Sequence, residues 1–136
     1  MSTACDGTAR MNLTVPAEPA SIPVLRRQAT EFARDQGAGE ELAADVALVV
    51  SEAVTNAVKY AGTGSDAGVV ELSARSGDDW LELRVRDRGK GFGKGSVDGL
   101  GLGLSIIARL SADLRIVQEG EGTEVRMRFP LSSAQP

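Results

Sequence analysis

Glu52 and Asn56 stand four residues apart in a segment of helical periodicity, and Lys59 follows three residues later. That spacing puts all three on one helix face. A carboxylate, an amide oxygen and an ammonium on one stripe can take up a proton, ligate a cation and hold a phosphate. A solvated helix face has the same composition, and spacing alone does not separate the two readings. Asp87 is the second chemical feature. It shares the parity of Leu81, Leu83 and Val85 in an alternating segment, so its carboxylate is expected to point inward at a strand end. A carboxylate buried there demands a partner. The third feature is glycine, which accounts for 16 of the 136 residues, seven of them between Gly89 and Gly103. Glycines let backbone N–H groups approach an anion closely, above all where a helix begins. Gly99-Leu100-Gly101-Leu102-Gly103-Leu104 leads into such a helix. A flexible linker is the alternative, which the interleaved apolar residues and the preceding Asp87 disfavour. No register of the cluster fits a Walker A loop or a Gly-x-Gly-x-x-Gly dinucleotide fingerprint.

Several chemistries are excluded outright. The chain has no histidine, so it holds no Ser-His-Asp triad, no His-ligated zinc and no phosphohistidine of its own. The single cysteine, Cys5, cannot form an internal disulfide, which fits a reducing cytosol and a cytoplasmic location. No run approaches the roughly 20 apolar residues of a membrane span, and residues 1–10 do not have the pattern of a signal peptide. Fifteen basic residues against nineteen acidic ones give a formal charge of −4, which argues against direct nucleic-acid binding.

The elements that must position these groups follow from periodicity. Met11, Leu13 and Val15 alternate as a first strand ending at Pro16. Ser21 is a candidate N-cap for a helix carrying Leu25, Ala29 and Phe32 and closed by Gly37. A second helix is expected over about 40–61, with Leu42, Val46, Val49, Ala53, Ala57 and Tyr60 as its buried stripe. Val70, Leu72 and Ala74 form a strand, Gly77-Asp78-Asp79 a hairpin turn, and Leu81 to Asp87 the next strand. A short helix over about 102–110 and two strands carrying Leu114, Ile116 and then Val125, Met127 and Phe129 complete the order. Trp80 is expected to pack at a sheet edge. The polar residues Glu71, Arg75, Glu82, Arg84, Arg126 and Arg128 are expected to leave one sheet face partly open to solvent. The fold class is α+β, a two-layer sandwich with a mixed, mostly antiparallel sheet and helices on one face. Residues 1–9 are expected to be a flexible lead-in, 10–131 one domain and 132–136 a tail.

Taken together, the motifs resemble those of the gyrase–Hsp90–histidine kinase–MutL ATPase superfamily, whose ATP-binding domain has the Bergerat fold. Ser51-Glu52-Ala53-Val54-Thr55-Asn56-Ala57 resembles its N box. Asp87-Arg88-Gly89-Lys90-Gly91 resembles the G1 box, Gly101-Leu102-Gly103-Leu104 the G2 box, and Gly122-Thr123 the closing Gly-Thr motif. The wording around Glu52 and the small size are most similar to the anti-sigma factor serine kinases.

The resemblance implies roles at matching positions. Asn56 would ligate the Mg²⁺ that accompanies ATP or ADP, and Lys59 would hold a phosphate. Asp87 would bind the adenine amino group, supported by Thr123, with Gly89 and Gly91 leaving room beside the base. Gly101, Leu102, Gly103 and Leu104 would line the phosphates. Glu52 would be the catalytic base. A serine hydroxyl or a water needs its proton removed or oriented, whereas an imidazole is already nucleophilic, so Glu52 favours transfer to Ser/Thr, or hydrolysis, over transfer to histidine. The implied protein is a homodimer that sequesters a sigma factor and phosphorylates a serine of a small STAS-type anti-anti-sigma partner, with Arg26 near the partner-binding face. Only Phe92 to Leu100 separates the G1 and G2 boxes, a short span for a lid. Two alternatives stay open: a nucleotide-gated binding module without transfer, and a detached histidine-kinase-type catalytic domain, suggested by Lys59-Tyr60.

Overall fold

A computed structural model describes residues 2–3, 8–60, 68–87, 113–119 and 122–131 of the protein. The described elements are β1 (Ser2–Thr3), β2 (Ala9–Pro16), α1 (Ser21–Asp35), α2 (Glu40–Tyr60), β3 (Val69–Ser76), β4 (Trp80–Asp87), β5 (Asp113–Glu119) and β6 (Gly122–Pro130). The helix expected over about 102–110 lies outside the described residues.

The six strands form one sheet in the order β1-β2-β3-β4-β6-β5. Every pairing among them is antiparallel, in keeping with the α+β class and mostly antiparallel sheet expected. β2 opens two residues before the hydropathy alternation begins, because Ala9 pairs with Ser76 and Arg10 with Arg75. Residues 1–9 were expected to be a flexible lead-in, but Ser2–Thr3 pair against Arg10 and Ala9.

Alternation decides which side chains the helices cover. Val70, Leu72 and Ala74 of β3, Leu81, Leu83 and Val85 of β4, and Val125, Met127 and Phe129 of β6 are buried. They form one core with Leu25, Ala29 and Phe32 of α1 and with Val46, Val49, Ala53 and Ala57 of α2. Ala43, Val50 and Val54 are buried as well, so the apolar face of α2 is wider than the expected stripe, as suits a helix lying across both a sheet and another helix.

Ser21 is not the N-cap of α1. Ala20 holds that position with no side-chain cap, and the Ser21 hydroxyl donates instead to the Pro16 carbonyl at 2.7 Å. The tight turn between β2 and α1, with Glu18 N–H on the Pro16 carbonyl at 2.9 Å, brings that acceptor within reach. Gly37 ends the helix as expected. Its φ of +101° is the left-handed conformation that glycine adopts without a Cβ penalty, and it lets Ala38 N–H reach the Ala33 carbonyl at 3.0 Å. Among the described residues, no helix is long and apolar enough to cross a membrane.

Candidate functional site

β4 ends on the residue that parity marked. Asp87 is 1% exposed, on the same inward face as Leu81, Leu83 and Val85. The antiparallel register places it directly opposite Thr123 of β6 on one side and Val70 of β3 on the other. Thr123 is itself buried, at 2% exposure. A carboxylate and a hydroxyl thus face each other at the end of the core, where an ionised group in apolar surroundings is costly without hydrogen bonds. Asp87 does interact with other groups of the chain. Its Oδ2 atom is also buried, with no hydrogen bond among the described residues. An inward acceptor of this kind fits the exocyclic amino group of an adenine.

α2 packs across β4 and β3 and carries the second group of residues. Ala53 and Ala57 are buried, and Glu52 and Asn56 beside them are half-buried, while Lys59 one turn on is exposed. Glu52 and Asn56 therefore lie along the border of the core, and Lys59 lies on the solvent side. Helical propensity supports the placement. Alanines at 53 and 57 let the helix approach the sheet closely, and Lys59 in the last turn complements the helix dipole. An Asn carboxamide oxygen is a competent ligand for a hard cation, which keeps most of its waters when bound by one or two protein groups. Among the described residues, there is no cluster of three or more acidic or cysteine side chains fit to hold a metal alone. A cation here would thus depend on Asn56 and on the phosphates it accompanies.

Gly89, Gly91 and Gly101 to Leu104 lie outside the described residues. Arg26 lies on the exposed side of α1, where its guanidinium donates to the Ser51 hydroxyl at 3.5 Å. Ser51 directly precedes Glu52, so the expected partner-contacting arginine touches the helix that carries the expected base.

Glu82 was expected among the polar residues that leave one sheet face partly open to solvent, but it is itself covered. It is 5% exposed, covered by arginines from three strands. Arg75 Nε donates to its Oε1 at 2.8 Å, Arg84 to the same atom at 3.4 Å, and Arg128 approaches Oε2 at 4.0 Å. Burial pushes the Glu82 carboxyl up, but the Arg75 hydrogen bond and the charges of Arg75, Arg84 and Arg128 outweigh it and hold the pKa below its ordinary value. Trp80 belongs to the same assembly. The guanidiniums of Arg75 and Arg128 lie 5.4 and 4.7 Å from its ring centroid, within cation–π range. The signal for this cluster was the acid-x-Arg alternation of β4, read against the registers of β3 and β6.

Comparison with known proteins places the chain. The model of the histidine kinase-like ATPase domain matches residues 15–129. The serine-protein kinase RsbW of Listeria monocytogenes serotype 4a (strain HCC23) is 35% identical over 80 residues, covering 59% of this chain and 51% of that protein. The chain therefore spans about half the length of this relative. Among solved structures, the RsbU and RsbW domains of Rv1364c from Mycobacterium tuberculosis superpose with a TM-score of 0.71 at 26% identity, over 90% of this chain and 32% of that one. A chain of the SiaB–SiaC complex from Pseudomonas aeruginosa shares the fold, with a TM-score of 0.69 at 19% identity over 88% of each chain. With a family model matching most of its length and the Asp87–Thr123 pair and the Glu52–Asn56 stripe on the elements that model spans, the chain belongs to the histidine kinase-like ATPase domain family.

Proposed function

We propose that this protein is an ATP-dependent serine kinase of the anti-sigma type. The observation that carries the reading is the buried Asp87 at the end of β4, opposite Thr123 at the start of β6, with Glu52 and Asn56 half-buried on α2, the helix that packs on β4. Asp87 accepts a hydrogen bond from the adenine amino group, and Thr123 holds the carboxylate in place. The Asn56 carboxamide oxygen would hold Mg²⁺, which would supply positive charge beside the phosphates. Lys59 steadies a phosphate, and the resemblance assigns Gly89 and Gly91 to the base and Gly101 to Leu104 to the phosphates. Glu52 takes the proton of the acceptor serine as its oxygen bonds to the γ-phosphorus and the bond to the ADP oxygen breaks. That proton transfer is what a hydroxyl acceptor needs and an imidazole does not.

The similarity to RsbW supports the partner class: a sigma factor held by the nucleotide-bound protein, and a small STAS-type anti-anti-sigma protein as phosphate acceptor. The proposed form is a cytoplasmic homodimer with residues 10–131 as its working domain and Arg26 at the partner-facing surface. The nine residues from Phe92 to Leu100 favour one further reading, a module that gates a partner by binding nucleotide without transferring phosphate. A pull-down from the native cell with and without Mg-ATP, followed by mass spectrometry of the captured proteins, tests the proposal. A sigma factor retained with ATP and a phosphoserine on a small antagonist support it. Nucleotide-dependent capture without any phosphoserine supports the module, and capture of neither partner overturns both.

A further inference from the structure

The sheet face turned away from α1 and α2 carries an ordered array of charge. Three successive strands repeat one pattern on it, an acid followed two residues later by an arginine that contacts it. The pairs are Glu82 with Arg84 at 3.4 Å, Glu124 with Arg126 at 2.7 Å and Asp113 with Arg115 at 3.6 Å. The antiparallel register then sets Arg84 directly opposite Arg126, and Arg126 directly opposite Arg115. Three guanidiniums thus stand side by side across β4, β6 and β5, and Ser73 and Asn12 extend the row on β3 and β2. Like charges directly opposite one another destabilise a sheet, and the acid beside each arginine offsets that repulsion.

The rows on either side are mixed. One holds Arg10, Arg75 and Arg128 with Glu82 and Asp113, the other Arg86 with Glu71 and Glu124. Among described side chains the face sums to seven arginines against four carboxylates, an excess of three positive charges on a chain of formal charge −4. All other residues together therefore carry −7. The face is not flat. A concavity of about 430 Å³ adjoins a second of about 270 Å³, and the two share Arg75, Glu82 and Arg84. Arg84 and Arg126 are half-buried, Arg126 donating from both Nε and Nη2 to Glu124 at 3.0 and 2.7 Å, and the Arg115 side chain is 66% exposed.

We propose that this face docks an acidic segment of a partner protein, read by the row Arg84–Arg126–Arg115 and separate from the nucleotide site on the opposite side of the sheet. Guanidiniums in a fixed row match carboxylates bidentately, which a lysine patch does not do. The interspersed Glu82, Glu124 and Asp113 repel an unbroken phosphate rail, and the −7 of the remaining chain opposes the approach of a nucleic acid. A second copy of this chain docked by a two-fold axis through this row would press one arginine row against another. A protein segment with spaced carboxylates meets the row and avoids the acids beside it.

The test measures binding of a fluorescein-labelled peptide alternating Asp and Glu with Gly and Ser, by anisotropy at low and high salt. A peptide with Asn and Gln at the acidic positions and a mixed-sequence single-stranded oligonucleotide serve as competitors. The Arg84→Ala/Arg115→Ala/Arg126→Ala protein is expected to bind the acidic peptide about tenfold or more weakly and to lose most of the salt dependence, with ATP binding unchanged. Arg115→Glu, at an exposed position, is expected to weaken binding alone, and it decides the outcome if the triple variant does not fold. Equal binding by the variants, or by the neutral peptide, overturns the proposal. An arginine-dependent preference for the oligonucleotide overturns it in favour of nucleic acid. A dimer that Arg115→Glu dissociates in light scattering overturns it in favour of self-association.

Discussion

Asp87→Asn exchanges a carboxylate for an amide of nearly the same volume at a position 1% exposed to solvent. The folded chain holds a buried carboxyl there opposite a buried hydroxyl, and the proposed return, with the carboxyl ionised, is a charge-assisted hydrogen bond from the adenine amino group. Hydrogen bonds to charged groups contribute about 1.5–3 kcal/mol. At 1.4 kcal/mol per decade, nucleotide binding should weaken about 10- to 150-fold. The unliganded protein should respond in the opposite direction. Removing a buried charge relieves desolvation, so its melting temperature should hold or rise. The two readouts come from one experiment, a thermal-shift series over ATP concentration, because a ligand bound only to the native state raises stability by RT ln(1 + [L]/Kd). The variant should start at or above the parent without ATP, and its curve should rise only at higher ATP. An unliganded Asp87→Asn protein with parental affinity for ATP would refute the assignment of the base-binding carboxylate. A variant that loses ATP binding and melts well below the parent would show that Asp87 serves the fold and not the nucleotide.

Three further substitutions test the framework. Glu82→Gln removes the negative partner of Arg75, Arg84 and Arg128 and should lower unfolding stability by about 1–3 kcal/mol near neutral pH. The folded-state pKa of Glu82 lies below its reference of 4.5. Its contribution is therefore full above that value and is lost as pH falls through the folded pKa, so urea titrations of the variant should show a flatter decline below about pH 4.5 than the parent. Gly77→Ala places a methyl against the Trp80 indole and should cost about 1–3 kcal/mol by overpacking. Trp80 is the chain's single tryptophan, so its emission should shift in the folded variant and report the displaced ring directly. Phe129→Ala empties a side chain that is 1% exposed in the core and should cost about 3–5 kcal/mol in chemical denaturation.

What could be read from residues alone depended on whether the determining contacts are local. The inward parity of Asp87 rests on strand alternation over a few residues, and α2 rests on a helical period and a strong apolar stripe, so both were legible. Gly37 was legible because a helix stop needing positive φ has a local signature. Ser21 was misread because its hydroxyl acceptor, the Pro16 carbonyl, is delivered by the turn that precedes the helix, a competitor that propensity does not rank. Glu82 was misread because its burial is made by Arg75 from β3 and Arg128 from β6, 7 residues before it and 46 after it in sequence. The arginine row has the same origin. Each acid-x-Arg pair is visible in its own strand, but the alignment of three arginines appears only when β6 inserts between β4 and β5.

The central claim is that Glu52 activates a serine hydroxyl while Asp87 and Asn56 hold the nucleotide. The most direct measurement incubates the parent and Glu52→Ala with γ-labelled Mg-ATP and the antagonist captured from the native cell, and follows labelled phosphoserine against ATP affinity. The account predicts phosphoserine with the parent, and a loss of about 100-fold or more with Glu52→Ala at unchanged affinity for ATP. Labelling by Glu52→Ala at the parental rate, or no phosphoserine from the parent while ATP is bound, would contradict it.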